Sequence, residues 1–150
     1  MIQIRLLAKD EKIPYDLLLL ADETIDAINK YISKSKIYIA QKESETIGIF
    51  CLHKNSETEI ELKNIAIKEE YQGLGYGSYM IDFLKLEAKK NFKTLIVGTA
   101  DIGYQQIKFY EKNGFKKFAI RKDFFIENYD KPIIENGIQL KDMVLLKYEL

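Results

Sequence analysis

A chain of 150 residues that is 47 % apolar and 31 % charged is long enough to bury a core and too hydrophobic to stay disordered. Lys+Arg and Asp+Glu both number 23, so the formal net charge is zero, which argues against a general nucleic-acid binder. No apolar run approaches the roughly 18 residues of a membrane span, the first residues lack the layout of a secretion signal, and a lone Cys51 gives neither a disulfide nor a metal cluster. A cytoplasmic protein is therefore expected, with no membrane, nucleic-acid or metal partner. Prolines occur only at Pro14 and Pro132, and no low-complexity linker interrupts the chain, so residues 1–150 read as a single domain.

Ile2, Ile4 and Leu6 alternate with polar residues, the period of a strand. Pro14 opens an apolar helical stretch through Leu20. Thr24 is placed to cap a second short helix with Ile25, Ile28 and Ile32 on one face. Lys36 to Gln41 and Thr46 to His53 read as a hairpin turning near Glu43-Ser44-Glu45. A turn at Asn55-Ser56-Glu57 leads into a strand from Glu59 to Ile67. On that strand, alternation puts Glu59, Glu61 and Lys63 on one side.

From Gly75 to Lys90 the period becomes helical: Gly77, Met80, Ile81, Leu84 and Ala88 share a stripe, while Asp82, Lys85 and Lys89 face away. Lys93 to Thr99 is short and continuously apolar, as in a buried strand. Gly103 to Lys112 forms the next helix, closed at Asn113-Gly114. Strands follow at Phe115 to Arg121 and Asp142 to Leu150, with Lys122 to Lys141 as a connection. The expected fold is α/β (α+β): a mixed, mostly antiparallel sheet of about six or seven strands, with about four helices on both faces.

The segment that carries chemistry is Gly73-Leu74-Gly75-Tyr76-Gly77, between a strand and a helix. Three glycines in five residues lose conformational entropy on folding, which calls for a compensating role. Their missing Cβ atoms let main-chain N–H groups approach one object, and the first N–H groups of the helix are unpaired and partly positive. That combination suits a phosphate. A dinucleotide fold wants G-x-G-x-x-G, and a P-loop wants a Lys after its last glycine; neither pattern is present.

Gln72-Gly73-Leu74-Gly75-Tyr76-Gly77 resembles the Q/R-x-x-G-x-G/A signature of the GNAT acetyltransferases. Asn64-Ile65-Ala66-Ile67 resembles that family's central strand, and Phe109-Tyr110-Glu111-Lys112-Asn113-Gly114-Phe115 resembles its Y-x-x-x-G-F element. The matches fall in the family's order and spacing. The resemblance implies the acyl-CoA N-acyltransferase fold and acetyl-CoA as acetyl donor, with no metal. It implies that Gln72 to Ser78 hold the pyrophosphate, and that the main chain at Ile65, Ala66 and Ile67 meets the pantetheine arm and the acetyl oxygen. At Gly103 the family usually has an asparagine, so no cofactor contact is assigned there.

Acetyl transfer needs a neutral amine, a reachable thioester carbon, donors for the developing oxyanion and a proton for the leaving thiolate. By the same resemblance, Tyr110 is the candidate acid and Glu61 the candidate base. A solvated polar face is the competing reading of Glu61, and helix-face packing that of Tyr110. His53 reads as a strand-end residue and Cys51 as core. The acceptor, a small-molecule amine or a peptide, is expected against Tyr15, Tyr31, Phe124, Phe125, Tyr129 and Glu135. A non-catalytic acetyl-CoA-binding regulatory module stays open as the alternative, and so does a homodimer.

Overall fold

The computed structural model describes residues 2–150. The N-terminal alternation yields β1 (Ile2–Leu6), which pairs antiparallel with β2 (Ser35–Lys42). β2 turns into β3 (Glu45–Lys54) through Glu43 and Ser44, both at positive φ (51° and 75°), and β3 pairs antiparallel with β4 (Glu59–Ile67). The parallel strand β5 (Thr94–Ala100) lies on the other side of β4. A parallel pair needs a long crossover, which α3 (Tyr76–Lys89) supplies. The last strand, β9 (Met143–Glu149), inserts antiparallel between β5 and β6 (Lys116–Arg121), giving seven strands in the order β1-β2-β3-β4-β5-β9-β6. The expected mixed, mostly antiparallel sheet is what forms.

Helices cover both faces, and each face has its own core. On one, Met80, Ile81, Leu84 and Ala88 of α3 and Ile107 and Tyr110 of α4 (Tyr104–Lys112) pack on Phe50, Leu62, Leu95, Val97 and Leu146. Burying an aliphatic or aromatic side chain of that size stabilises by about 1.5–3 kcal/mol. On the other, Leu17 and Leu18 of α1 (Tyr15–Leu18) and Ile28 of α2 (Ile25–Asn29) pack on Ile39, Ile49, Cys51 and Ala66. Thr24 caps α2 as expected, its hydroxyl accepting from the Ala27 N–H at 3.1 Å.

Three details differ from the sequence reading. Lys85 does not face away: its ammonium lies 3.9 Å from the Tyr148 ring centre and donates to the Asn113 carbonyl, because Lys side chains can lay their stems along apolar surface. The connection 122–141 contains a fifth helix, α5 (Phe124–Glu127), and a small hairpin, β7 (Ile134–Glu135) with β8 (Ile138–Gln139). Asn136-Gly137 makes its turn, with φ of 51° and 76°. That dipeptide is the preferred two-residue hairpin turn and was the available signal.

The third difference sets up the site. Cys51 of β3 pairs with Asn64 but its neighbour Leu52 pairs with Leu62, so Lys63 is an extra residue, a bulge. One inserted residue exchanges the two faces of everything after it. Before the bulge, Ile60 and Leu62 point into the α3 core; after it, Ile65 and Ile67 do, and Ala66 turns to the α1/α2 core. Lys63 keeps the expected side of Glu61, reaching its carboxylate and the Tyr31 ring, and alternation fails one residue later, where Asn64 joins the same face.

Candidate active site

The bulge coincides with the end of pairing between β4 and β5. Their matched residues run from Glu59↔Thr94 to Leu62↔Val97 and no further, so from Asn64 to Ile67 the β4 edge facing β5 has no strand partner. The two strands splay and open a groove of about 1030 Å³. Among the expected site residues, Glu61, Ile65, Ala66, Ile67, Gln72, Gly73, Gly75, Gly77, Ser78 and Tyr110 all border this groove. Leu74 and Tyr76 do not: Leu74 is 64 % exposed, and the Tyr76 ring packs on Tyr71 at 6.2 Å. Only the main chain of those two residues can serve a ligand there.

At one end, none of the main-chain N–H groups from Gly73 to Ser78 donates to an acceptor within the described residues. Gly73 and Gly75 adopt φ of 75° and 89°, the left-handed region that other residues enter only under strain. Gly75 is the N-cap of the 14-residue α3 and offers no side-chain cap, so the helix terminus stays open with its partial positive charge. Gln72 shapes the approach by donating from Nε2 to the Ile67 carbonyl at 2.8 Å. Gly77 has a different reason to be glycine: a Cβ there would lie 3.2 Å from the Phe109 ring, whereas a Cβ at Gly73 or Gly75 meets nothing within 4 Å. Two glycines shape the loop and the third lets α4 approach α3.

Tyr110 and Glu61 both line the groove. Tyr110 is 8 % exposed, held edge-on by Phe109 and Phe115, and burial alone pushes its hydroxyl pKa upward, so it stays protonated at neutral pH. Glu61, 4 % exposed, is no solvated surface residue. Its carboxylate accepts from Asn55 Nδ2 at 3.0 Å, from both terminal nitrogens of Arg121 at 3.3 Å, and from Lys63 Nζ at 3.4 Å. Burial works to raise its pKa, but Lys63, Asn55 and Arg121 together outweigh that and hold it below the usual range. Lys63 is on the side of β4 that alternation gave it with Glu61, whereas Arg121 was not singled out from the sequence, since an ion pair between β4 and β6 leaves no local pattern.

His53 also borders the groove, with Nδ1 2.9 Å from Asn55 Oδ1, while Cys51 is fully buried and burial pushes its thiol up to about 12. The two form no catalytic pair. Tyr31, Phe124, Phe125, Tyr129 and Glu135 also border the groove, together with Asp22 and Asn64. Tyr15 is not among them; its hydroxyl donates to Asn29 Oδ1 at 2.7 Å.

The Acetyltransferase (GNAT) domain family matches residues 33–117. An uncharacterized N-acetyltransferase of Bacillus subtilis, YvbK, is 39 % identical over 137 residues, or 91 % of this chain and 88 % of that protein. A crystal structure of a GNAT family acetyltransferase from Elizabethkingia anophelis with acetyl-CoA bound is 40 % identical, with a TM-score of 0.96 over 99 % of this chain and 98 % of that one. The IAA acetyltransferase of Bacillus cereus is 35 % identical, with a TM-score of 0.91 over 100 % of both chains. With the splayed strand, the open glycine loop and this likeness along nearly its whole length, the chain belongs to the GNAT acetyltransferase family.

Proposed function

We propose that this protein transfers the acetyl group of acetyl-CoA to a primary amine. The observation that carries this reading is the row of unbonded main-chain N–H groups from Gly73 to Ser78, at the mouth of α3 and in one groove with the unpaired edge of β4. Such a row suits a diphosphate, and the relatives from Elizabethkingia anophelis and Bacillus subtilis were crystallised with acetyl-CoA and CoA. The amine acceptor is supported by the name N-acetyltransferase of YvbK.

Acetyl-CoA, when bound, supplies an acyl carbon activated as a thioester. The loop from Gln72 to Ser78 anchors its diphosphate, and the open β4 edge at Ile65, Ala66 and Ile67 presents main-chain donors to the acyl oxygen. Donors already fixed in place need no reorganisation as negative charge grows, and one is worth about 3 kcal/mol of barrier. The amine nitrogen bonds to the acyl carbon and the carbon–sulfur bond breaks. Tyr110 gives its hydroxyl proton to the departing sulfur. The proton released by the nitrogen passes through water toward Glu61, which stays ionised at neutral pH but, with its lowered pKa, accepts that proton only weakly.

Two measurements test this. Acetyl-CoA at concentrations well above its dissociation constant should raise the melting temperature, and CoA thiol should appear only when an amine is present. Stabilisation without thiol release across a panel of primary amines and peptide N-termini would make the protein a binding module; no stabilisation at all would remove the donor site.

A further inference from the structure

Ser78, at the third helical position of α3, ends the row of unbonded N–H groups and borders the groove. Among the described residues its hydroxyl takes part in one hydrogen bond, to Asn113 Nδ2 at the end of α4, 3.3 Å away. An amide and a hydroxyl can bond in either sense, and here the amide's other partner sets the sense. Asn113 Nδ2 lies 2.8 Å from the Phe109 carbonyl, an oxygen that only accepts, so the nitrogen of Asn113 and not its oxygen stands on that side. The same nitrogen faces Ser78, which makes Ser78 Oγ the acceptor. The Ser78 proton is therefore uncommitted within the described residues, and it must point away from the Asn113 amide.

Asn113 is itself held from two sides. Its N–H bonds to the Phe109 and Tyr110 carbonyls at 3.2 and 3.0 Å within α4. From α3, Lys85 donates to the Asn113 carbonyl, and the Lys85 ammonium lies over the Phe115 and Tyr148 rings, 5.7 and 3.9 Å from their centres. Lys85 stands two helical turns beyond Ser78, so α3 grips Asn113 by main chain at one point and by side chain at the other. Gly114, at φ 92°, already ends the helix, so the Asn113 side chain has a task that termination does not require.

We propose that Asn113 is a positioning residue for the acetyl donor: by donating to Ser78 Oγ it keeps the Ser78 hydroxyl as a donor, and that hydroxyl joins the N–H row from Gly73 to Ser78 on a diphosphate oxygen. This rests on the acetyl-CoA reading above. A hydroxyl donating to an anion makes a charge-assisted bond, roughly twice as strong as a neutral one. Without Asn113 the hydroxyl is free to turn back to a carbonyl of its own helix, the common habit of a helical serine, and binding must then reorient it. Asn113 does not border the groove, so its influence on the ligand runs through Ser78.

The test is calorimetric titration of the full chain with CoA, which carries the diphosphate of acetyl-CoA, alongside melting curves. It is run on the unaltered protein, Ser78→Ala, Asn113→Ala and the double variant. Ser78→Ala is expected to raise the Kd for CoA about five- to twentyfold, and Asn113→Ala about three- to tenfold. In the Ser78→Ala background, Asn113→Ala should change the Kd by less than about twofold, because the hydroxyl it directs is gone. Asn113→Ala also frees the Phe109 carbonyl, so it should melt lower in both backgrounds, whatever happens to the Kd. Asn113→Asp covers the case in which the alanine variant does not fold: it keeps the side-chain shape but only accepts, draws the Ser78 proton to itself, and should weaken CoA binding more with Ser78 present than in Ser78→Ala. Equal effects of the Asn113 variants in both backgrounds make Asn113 structural and overturn the proposal, as does a Kd that Ser78→Ala leaves unmoved; the donor reading then stands. Absence of CoA binding by the unaltered protein overturns both.

Discussion

Arg121, at the end of β6, sets its two terminal nitrogens 3.3 Å from the two carboxylate oxygens of Glu61 on β4. The Glu61 side chain is 5 % exposed and that of Arg121 35 %, so the anion is buried and the cation reaches solvent. Arg121→Met leaves the buried anion with Lys63 and the Asn55 amide as its partners. A loss of about 1–3 kcal/mol follows, below the cost of breaking a wholly buried pair because the guanidinium is partly hydrated. Removing a cation also removes one of the influences that lower the Glu61 pKa. If Glu61 receives the amine's proton, the acid limb of the kcat/KM profile moves to higher pH in Arg121→Met. Unfolding curves and a pH–rate profile of this variant read the two effects separately. A variant that loses stability while its acid limb stays fixed makes Glu61 structural.

The acid side of the stability curve should be set by carboxylates whose pKa folding lowers. Hydrogen bonding to Arg5, then to the Ala8 N–H, brings Glu11 to about 2, and Lys68 with Tyr71 lowers Glu45. Glu61 is lowered despite its burial. A group with a lowered folded pKa binds fewer protons folded than unfolded. Its stabilisation is therefore present above the unfolded value of about 4.3 and is lost as pH falls through the folded one. Melting temperatures should be flat from neutrality to about pH 5 and then fall steadily toward pH 2. Glu61→Gln should remove part of that slope, and a curve unchanged by the substitution would separate Glu61 from acid unfolding.

Gly75 and Gly77 should respond differently to the same methyl group. Gly75→Ala adds a Cβ that meets nothing, but at φ 89° it costs about 1 kcal/mol and tilts the N–H groups that open α3. Acetyl-CoA should then raise the melting temperature less than in the wild type. Gly77→Ala presses its Cβ to 3.2 Å from the Phe109 ring, so its first effect is on packing between α3 and α4, about 1–3 kcal/mol of overpacking. Phe109→Leu, which shortens that ring, should relieve Gly77→Ala and do nothing for Gly75→Ala. Melting curves with and without acetyl-CoA for the three variants and the two doubles decide this. Rescue of both glycine variants would show that the whole loop is packing.

Where the sequence spoke locally, it was legible. Alternation placed β1 and the start of β4, and a short continuous apolar run placed β5, since these signals lie within each segment. The glycine loop was visible because its reason, φ near 75° and 89°, belongs to the residues themselves. What escaped depends on partners remote in sequence. The bulge at Lys63 is set by how β3 pairs, not by any residue type on β4, yet it turns Asn64 and Ala66 toward the face that Glu61 occupies. The burial of Glu61, the candidate base, was likewise not legible, and a solvated face stood as its competing reading, because its partner Arg121 lies 60 positions away. Lys85 read as outward because Tyr148, which it covers, comes from the last strand. Asn136-Gly137 was the exception: the turn signal was local, and the strands it joins, two residues each, were too short to show a period.

Tyr110→Phe is the sharpest test of the chemistry, because the substitution removes one oxygen and disturbs little else. Burial is the sole cause of the raised Tyr110 pKa, with no hydrogen bond contributing, so losing the hydroxyl strands no partner. The ring remains edge-on between Phe109 and Phe115 at 5.3 and 5.6 Å, and the melting temperature should hold within the range of a neutral core change. The proton for the departing sulfur would then come from water. Loss of a positioned general acid should lower kcat by about a hundredfold or more, with acetyl-CoA affinity and acceptor KM nearly unchanged. The deficit should shrink for an acyl thioester whose thiol is more acidic, since a better leaving group needs less protonation. A Phe variant that turns over at the wild-type rate with both thioesters would assign Tyr110 to packing alone, and the sulfur's proton would have to come from solvent in the wild type as well.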